Sequence, residues 1–343
     1  MRVVRVAVVG GSGYIGGELL RLLLGHREVD VAAATSTRLA GRRVDSAHPN
    51  LRGRTDLTFV APADLGEYDA VFLATPHTAT MGRIRDYLAA AKIVVDLSAD
   101  FRLHDPESYR RYYGRPHTEL GLLGRFVPGL PELHRDRLRT ADRVSVPGCM
   151  ATAAVLALHP LVADDLVAGE IRVDARAGSS GSGAAVGPEN THAERSGALR
   201  VFAPLHHRHE AEIGERLGRP VLMTATGVEA VRGVQVLCWT RLADGVDARA
   251  IRAAYRRHYA AEPFVRVVAE HRGPHRLPDP KILSGSNFCD VGFVVDEAER
   301  TVLAVGALDN LVKGGAGNAV QCLNLRLGLP EDTGLEFPGL HPN

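Results

Sequence analysis

A chain of 343 residues, 45% hydrophobic and 24% charged, is long enough for two domains with their own cores, and its composition is neither disordered nor fibrous. A formal net charge of +1 gives no reason to expect a nucleic acid or an anionic membrane surface as partner. Cys149, Cys238, Cys289 and Cys322 are scattered with neither a CxxC pair nor zinc spacing, no apolar run approaches the ~20 residues that span a bilayer, and no leader precedes the first strand, so the expectation is a reduced, cytoplasmic protein with no metal.

Residues 3–9 form an apolar, β-branched run, the pattern of a buried parallel strand. Gly10-Gly11-Ser12-Gly13-Tyr14-Ile15-Gly16 follows, and helical apolar spacing resumes from Glu18. A GxxGxxG string between strand and helix supplies a tight turn at Gly10 and close backbone approach to a pyrophosphate, so a dinucleotide is expected there. The next strand, 29–34, ends beside the place of the adenosine ribose. A site for NAD would put a carboxylate at that point, whereas this chain has Thr35-Ser36-Thr37-Arg38. Hydroxyls and a guanidinium suit a 2′-phosphate, so NADP is the expected cofactor.

Segments 69–77 and 92–98 read as two further strands with a helix between them, and the repeating β-α pattern predicts a doubly wound sheet. Arg102, just beyond the second of these, either meets a substrate phosphate or carboxylate or is a solvated arginine in a helix cap. A short strand over 142–146 runs into Pro147-Gly148, which force a turn, and helical apolar spacing begins at Cys149. A cysteine at a helix start, where unpaired amides and the helix dipole favour the thiolate, is placed to be a nucleophile.

The second half changes character. Strands near 171–177, 221–225, 234–239 and 291–295 predict a mixed, mainly antiparallel sheet. Gly178-Ser179-Ser180-Gly181-Ser182-Gly183 offers amides and hydroxyls that would cradle an anion, with Ser180 and Gly181 as candidate substrate contacts. His206-His207-Arg208-His209 opens a helix. Its spacing is not that of a metal site, so His207 or His209 is expected to serve as acid/base to the thiol. Residues 309–318 read as a polar, glycine-rich loop leading into an amphipathic helix that packs back on the first domain. The predicted architecture is an α/β chain: an NADP-binding Rossmann domain over 1–148 and 314–343, and an α+β catalytic and oligomerisation domain over 149–313.

With GGSGYIG, DLSADFRL, PGCMAT, HHRHEAEI and DNLVKGGAGNAVQ in place, the chain resembles the N-acetyl-γ-glutamyl-phosphate reductase family along nearly its whole length, with a semialdehyde-dehydrogenase-like fold. Within it, residues 48–55, 108–114, 122–127 and 334–342 resemble the branch acting on aminoadipyl or glutamyl phosphate carried on a small acidic amino-group carrier protein. The resemblance implies Cys149 as nucleophile and favours His209 over His207 as acid/base. It also implies that Ser12, Gly13, Tyr14, Ile15, Ser36, Thr37, Arg38 and Asn310 contact NADP, and that the chain is a homodimer or homotetramer. Met150 and Phe202 depart from residues common in relatives. The loop after Gly183 lacks the basic residue that many acetylglutamate enzymes carry, which weighs against free acetylglutamyl phosphate. Arg42, Arg43, Arg52, Arg54, Arg195 and Arg200 are the candidate docking set for the carrier. The expected reaction is NADPH-dependent reduction of the carrier-bound acyl phosphate to a semialdehyde through a cysteine thioester. The alternatives are the arginine-pathway reductase and a non-catalytic NADP-binding regulator.

Overall fold

The first apolar run forms β1 (Val4–Val9), whose residues from Val6 to Val9 are almost wholly buried, as expected of a parallel strand covered on both faces. The computed structural model describes residues 3–342 apart from 186, 188 and 189, and the chain divides into two units. The first runs to Pro147 and includes Gly315–Glu336. Its elements are β1, α1 (Tyr14–Leu23), β2 (Val29–Ala34), α2 (Val44–Ala47), β3 (Tyr68–Leu73), α3 (Ile84–Ala90), β4 (Ala91–Asp96), α4 (Pro106–Tyr113), β5 (Val127–Pro128), α5 (Pro131–Leu138) and β6 (Arg143–Ser145). The strands make one parallel sheet in the order β2-β1-β3-β4-β6-β5. The order reverses beside β1, and such a switch point, at the carboxyl ends of the strands, is where open α/β sheets hold ligands.

The second unit begins at Gly148 with α6 (Cys149–Ala163), a helix buried along most of its length. It continues through β7 (Val167–Ala177), α7 (His192–Arg195), β8 (Arg200–Ala203), α8 (Arg208–Leu217), β9 (Val221–Gly227), β10 (Val234–Leu242), α9 (Ala248–Tyr259), β11 (Val265–Val267), β12 (Cys289–Asp296) and β13 (Thr301–Leu308). Its sheet runs β11-β12-β13-β10-β7-β9-β8. The pairs β10–β13, β10–β7, β12–β13 and β8–β9 are antiparallel, whereas β11–β12 and β7–β9 are parallel. One face packs on α6. On the other, the register aligns Val294, Leu303, Trp239, Arg172 and Leu222 in a single row across five strands. Leu222, Trp239 and Val294 in that row are 41%, 46% and 49% exposed.

Two expectations change. Residues 309–318 are not an open loop: Val312–Ala316 form a π-helical turn leading into α10 (Gly317–Leu327), and Lys313 is fully buried with Nζ 5.8 Å from the Phe264 ring centroid. Asp309 satisfies the turn internally, accepting from Gly285 N at 2.6 Å and Leu311 N at 2.8 Å and pairing with Arg232 at 3.1 Å. The tail from Phe337 groups with the second unit, where a Cβ on Gly339 would lie 2.4 Å from Ile282 O, and not with the first. Among the described residues no helix is long and apolar enough to cross a membrane.

Candidate active site

The start of α6 carries Cys149, the candidate nucleophile. Gly148 caps the helix without a side chain of its own, and its N–H donates to Glu212 Oε2 at 2.8 Å. The first turn holds no acidic residue, so a charge on Cys149 Sγ faces the positive end of the helix unopposed by its own turn. Cys149 is partly exposed, whereas Cys238, Cys289 and Cys322 are buried. Burial, with Asp174 nearby, pushes the Cys238 thiol well up, so that thiol stays protonated and inert.

His209 sits in the first turn of α8, buried, over the same glycine. A Cβ at Gly148 would lie 2.0 Å from His209 Nε2, so only glycine admits the imidazole. Glu212, one turn further along α8 and 1% exposed, places Oε1 3.8 Å from that Nε2. One carboxylate thus serves both the turn before Cys149 and the ring of His209. His207 has a different task. It is the N-cap of α8, and its Nδ1 accepts from His209 N at 3.2 Å. Burial, and then the Arg208 charge, pushes this ring down to about 4, so it is neutral near pH 7 and suited to that acceptor role. Among the described residues no group of metal-ligating side chains is assembled.

The glycine-serine loop differs from expectation. Residues Ser179–Ser182 form a tight turn whose amides are already engaged: Gly178 N with Gly233 O at 2.9 Å, Ser179 N with Ala230 O at 2.8 Å, and Ser180 N with Val231 O at 2.9 Å. Gly181 N turns inward to Gly178 O at 3.2 Å. The amides of Ser180 and Gly181 are therefore already engaged within the protein. Asn310 is 3% exposed and fastens this loop, donating from Nδ2 to Ser180 Oγ at 2.9 Å while its Oδ1 accepts from Gly233 N at 2.7 Å. Its amide thus ties the Ser180 turn to Gly233.

In the first unit the glycine turn fits a dinucleotide. Gly10 has φ +77°, and a Cβ there would fall 2.4 Å from Ala74 O at the end of β3. Gly13 caps α1, which has no acid in its first turn to oppose a pyrophosphate, and Tyr14 and Ile15 form that turn. Ser12 Oγ and Ser36 Oγ are 2.8 Å apart, and Ser36 Oγ also accepts from Leu39 N at 3.1 Å, which fixes the loop after β2 against the glycine turn. Thr37 and Arg38 are exposed. Arg102 is 7% exposed and donates from Nη2 to Leu97 O at 2.9 Å, so it braces its own loop and is not a solvated cap. Beside it, burial pushes Asp96 up to about 7.

The arginines divide similarly. Arg42, Arg52 and Arg54 are exposed. Arg43 is paired with Asp45 at 2.8 Å and Asp56 at 2.9 Å, and Arg200 with Glu194 at 3.5 Å. Arg195 donates to Val228 O at 2.6 Å and so closes off the end of β9. Glu212 is the functional candidate missed in the sequence. Its position at i+3 from His209 was the available signal, since that spacing stacks two side chains on one helix face.

Family models for the semialdehyde dehydrogenase NAD-binding domain and dimerisation domain match residues 5–141 and 149–310. A Deinococcus radiodurans protein named LysW-L-2-aminoadipate 6-phosphate reductase is 47% identical, over 98% of this chain and 98% of that one. A Thermococcus kodakarensis protein provisionally named LysW-L-2-aminoadipate/LysW-L-glutamate phosphate reductase is 45% identical over 99% of each chain. Among solved structures, aspartate semialdehyde dehydrogenase II of Vibrio cholerae superposes with a TM-score of 0.72 over 96% of this chain and 99% of its own, at 15% identity, a likeness of fold.

Proposed function

The chain belongs to the semialdehyde dehydrogenase family, in the branch of LysW-aminoadipate/glutamate phosphate reductases, and we propose that it is an NADPH-dependent reductase converting a carrier-bound aminoadipyl or glutamyl phosphate to the semialdehyde. The observation that carries the chemistry is the convergence of Cys149, His209 and Glu212 on the single residue Gly148. Cys149 Sγ attacks the acyl carbon as its proton passes to His209. The tetrahedral oxyanion forms beside the first amides of α6, and phosphate leaves with the proton from His209, giving a thioester. NADPH, when bound, supplies the hydride that brings the thioester to the aldehyde oxidation level. The resulting oxyanion then expels the Cys149 thiolate and releases the aldehyde, and the Cys149–His209 pair regains one proton from water. Glu212, buried beside the imidazole, stabilises it while it is charged. Asn310 holds the Ser180 turn in place through Ser180 Oγ and Gly233 N.

Ser36 and the exposed Arg38 replace the carboxylate that would select NAD, which favours the 2′-phosphate of NADP. Arg38→Ala is expected to lower kcat/KM for NADPH by about tenfold and leave that for NADH within about twofold, since a charge-assisted hydrogen bond contributes roughly 1.5–3 kcal/mol. Equal use of NADPH and NADH by the unaltered protein would contradict the assignment. A homodimer through the outer face of the second sheet is the assembly supported by the row Val294, Leu303, Trp239 and Leu222 and by the dimerisation-domain match.

For the carrier, exposed Arg42, Arg52 and Arg54 supply a basic surface for an acidic partner, acting chiefly on the association rate. The test compares carrier-bound acyl phosphate with free N-acetylglutamyl phosphate at low and high salt. The carrier-bound substrate should be reduced much faster at low salt, and the preference should shrink as the screening length falls toward ~8 Å at physiological ionic strength. Charge reversal at Arg52 and Arg54 should raise KM for the carrier substrate alone. A better rate with the free substrate at every salt concentration would replace this reading with the arginine-pathway enzyme.

A further inference from the structure

His48 takes no part in the chemistry above, yet its ring is seated against the dinucleotide turn. Nε2 lies 2.7 Å from Gly11 O. A carbonyl can only accept, so Nε2 carries the proton and the tautomer is fixed. The ring meets Phe59 edge to face, with centroids 6.5 Å apart, and presses on α1 so closely that a Cβ on Gly17 would come within 2.4 Å of His48 Cε1. Glycine in a helix interior costs up to ~1 kcal/mol relative to alanine. Here the imbalance has a cause, since Gly17 is the floor on which the imidazole rests.

Gly11 is therefore gripped at both ends. Its N–H donates to Thr35 O at 2.8 Å, and its carbonyl accepts from His48. The Gly11 carbonyl and the Ser12 N–H belong to one planar trans peptide and point in opposite directions. Fixing the carbonyl toward His48 fixes the Ser12 N–H on the other side, at the start of α1, where a pyrophosphate is drawn by the helix N-terminus.

We propose that His48 is a positioning residue for the cofactor: through the Gly11 peptide it aims the Ser12 amide at the dinucleotide pyrophosphate, with Gly17 as its seat. This rests on the reading of the glycine turn as the cofactor site. Because the pyrophosphate is common to NADPH and NADH, His48 governs the affinity for both alike, whereas Arg38 discriminates between them.

Fluorescence titration of the full-length protein with NADPH and with NADH, alongside thermal melts, tests the proposal. His48→Ala should weaken both dissociation constants by about five- to tenfold, the effect of one hydrogen bond and its ordering. His48→Gln, whose amide nitrogen can replace Nε2 as donor, should stay within about twofold of the unaltered protein. Gly17→Ala should resemble His48→Ala, and the double variant should be no weaker than either, because both changes remove the same contact. The proposal fails if His48→Ala binds normally, if His48→Gln is as weak as His48→Ala, or if the two substitutions add independently. Should His48→Ala not fold, His48→Gln against Gly17→Ala makes the same distinction. If the unaltered protein binds neither dinucleotide, the cofactor reading itself is at fault.

Discussion

Cys149→Ser is expected to lower turnover by more than about a thousandfold while leaving the melting temperature and NADPH affinity close to those of the unaltered protein. A serine hydroxyl fits the space and keeps the start of α6 intact, but it ionises far less readily and makes a poorer leaving group when the aldehyde is released. The three remaining cysteines are buried and cannot substitute. Iodoacetamide should therefore modify Cys149 first, with or without cofactor, and the serine variant should lose that labelling. Activity of the variant within tenfold of the parent would end the thioester account.

Glu212→Gln separates charge from structure at the other half of the site. The amide oxygen of glutamine can still accept from Gly148 N, so the turn before Cys149 should persist and the protein should fold. What disappears is the negative charge 3.8 Å from His209 Nε2. With the carboxylate gone the charged imidazole is less favoured, so kcat should fall by about a hundredfold and the acid limb of kcat/KM should move to lower pH. Glu212→Ala should lose more and should also melt lower. It leaves the Gly148 N–H without its buried acceptor, a loss of roughly 1–3 kcal/mol. An unchanged pH profile in Glu212→Gln would reduce Glu212 to a purely structural role.

Local pattern carried much of the fold. The β-branched run before Gly10, the helical spacing after it and the ProGly turn before Cys149 each made β1, α1 and α6 legible, because turn chemistry and periodicity are properties of adjacent residues. The strands β8, β11 and β13 and the helix α9 were not anticipated, and β8 has no buried face to impose an alternation. Glycine and polar residues at 178–183 and 309–318 predict loops by composition. They are stitched turns, since Asn310 and Asp309 satisfy backbone groups distant in sequence. Burial of Arg102 and the seat of Arg195 on Val228 O are likewise beyond local pattern, since each places a guanidinium donor on a main-chain carbonyl. In the site, Cys149 and the histidine pair were visible as types. The choice between His207 and His209 rested on family likeness, and it is the cap at His207 Nδ1 and the carboxylate of Glu212 that now support His209 as the acid/base.

The most direct test of the central claim is intact-mass measurement of the protein mixed with carrier-bound acyl phosphate in the absence of NADPH, with released phosphate followed in parallel. The account predicts a burst of about one phosphate per chain and a covalent adduct on Cys149, sensitive to hydroxylamine, that disappears as aldehyde is formed on adding NADPH. Phosphate release that depends strictly on NADPH, with Cys149 unmodified throughout, would contradict it.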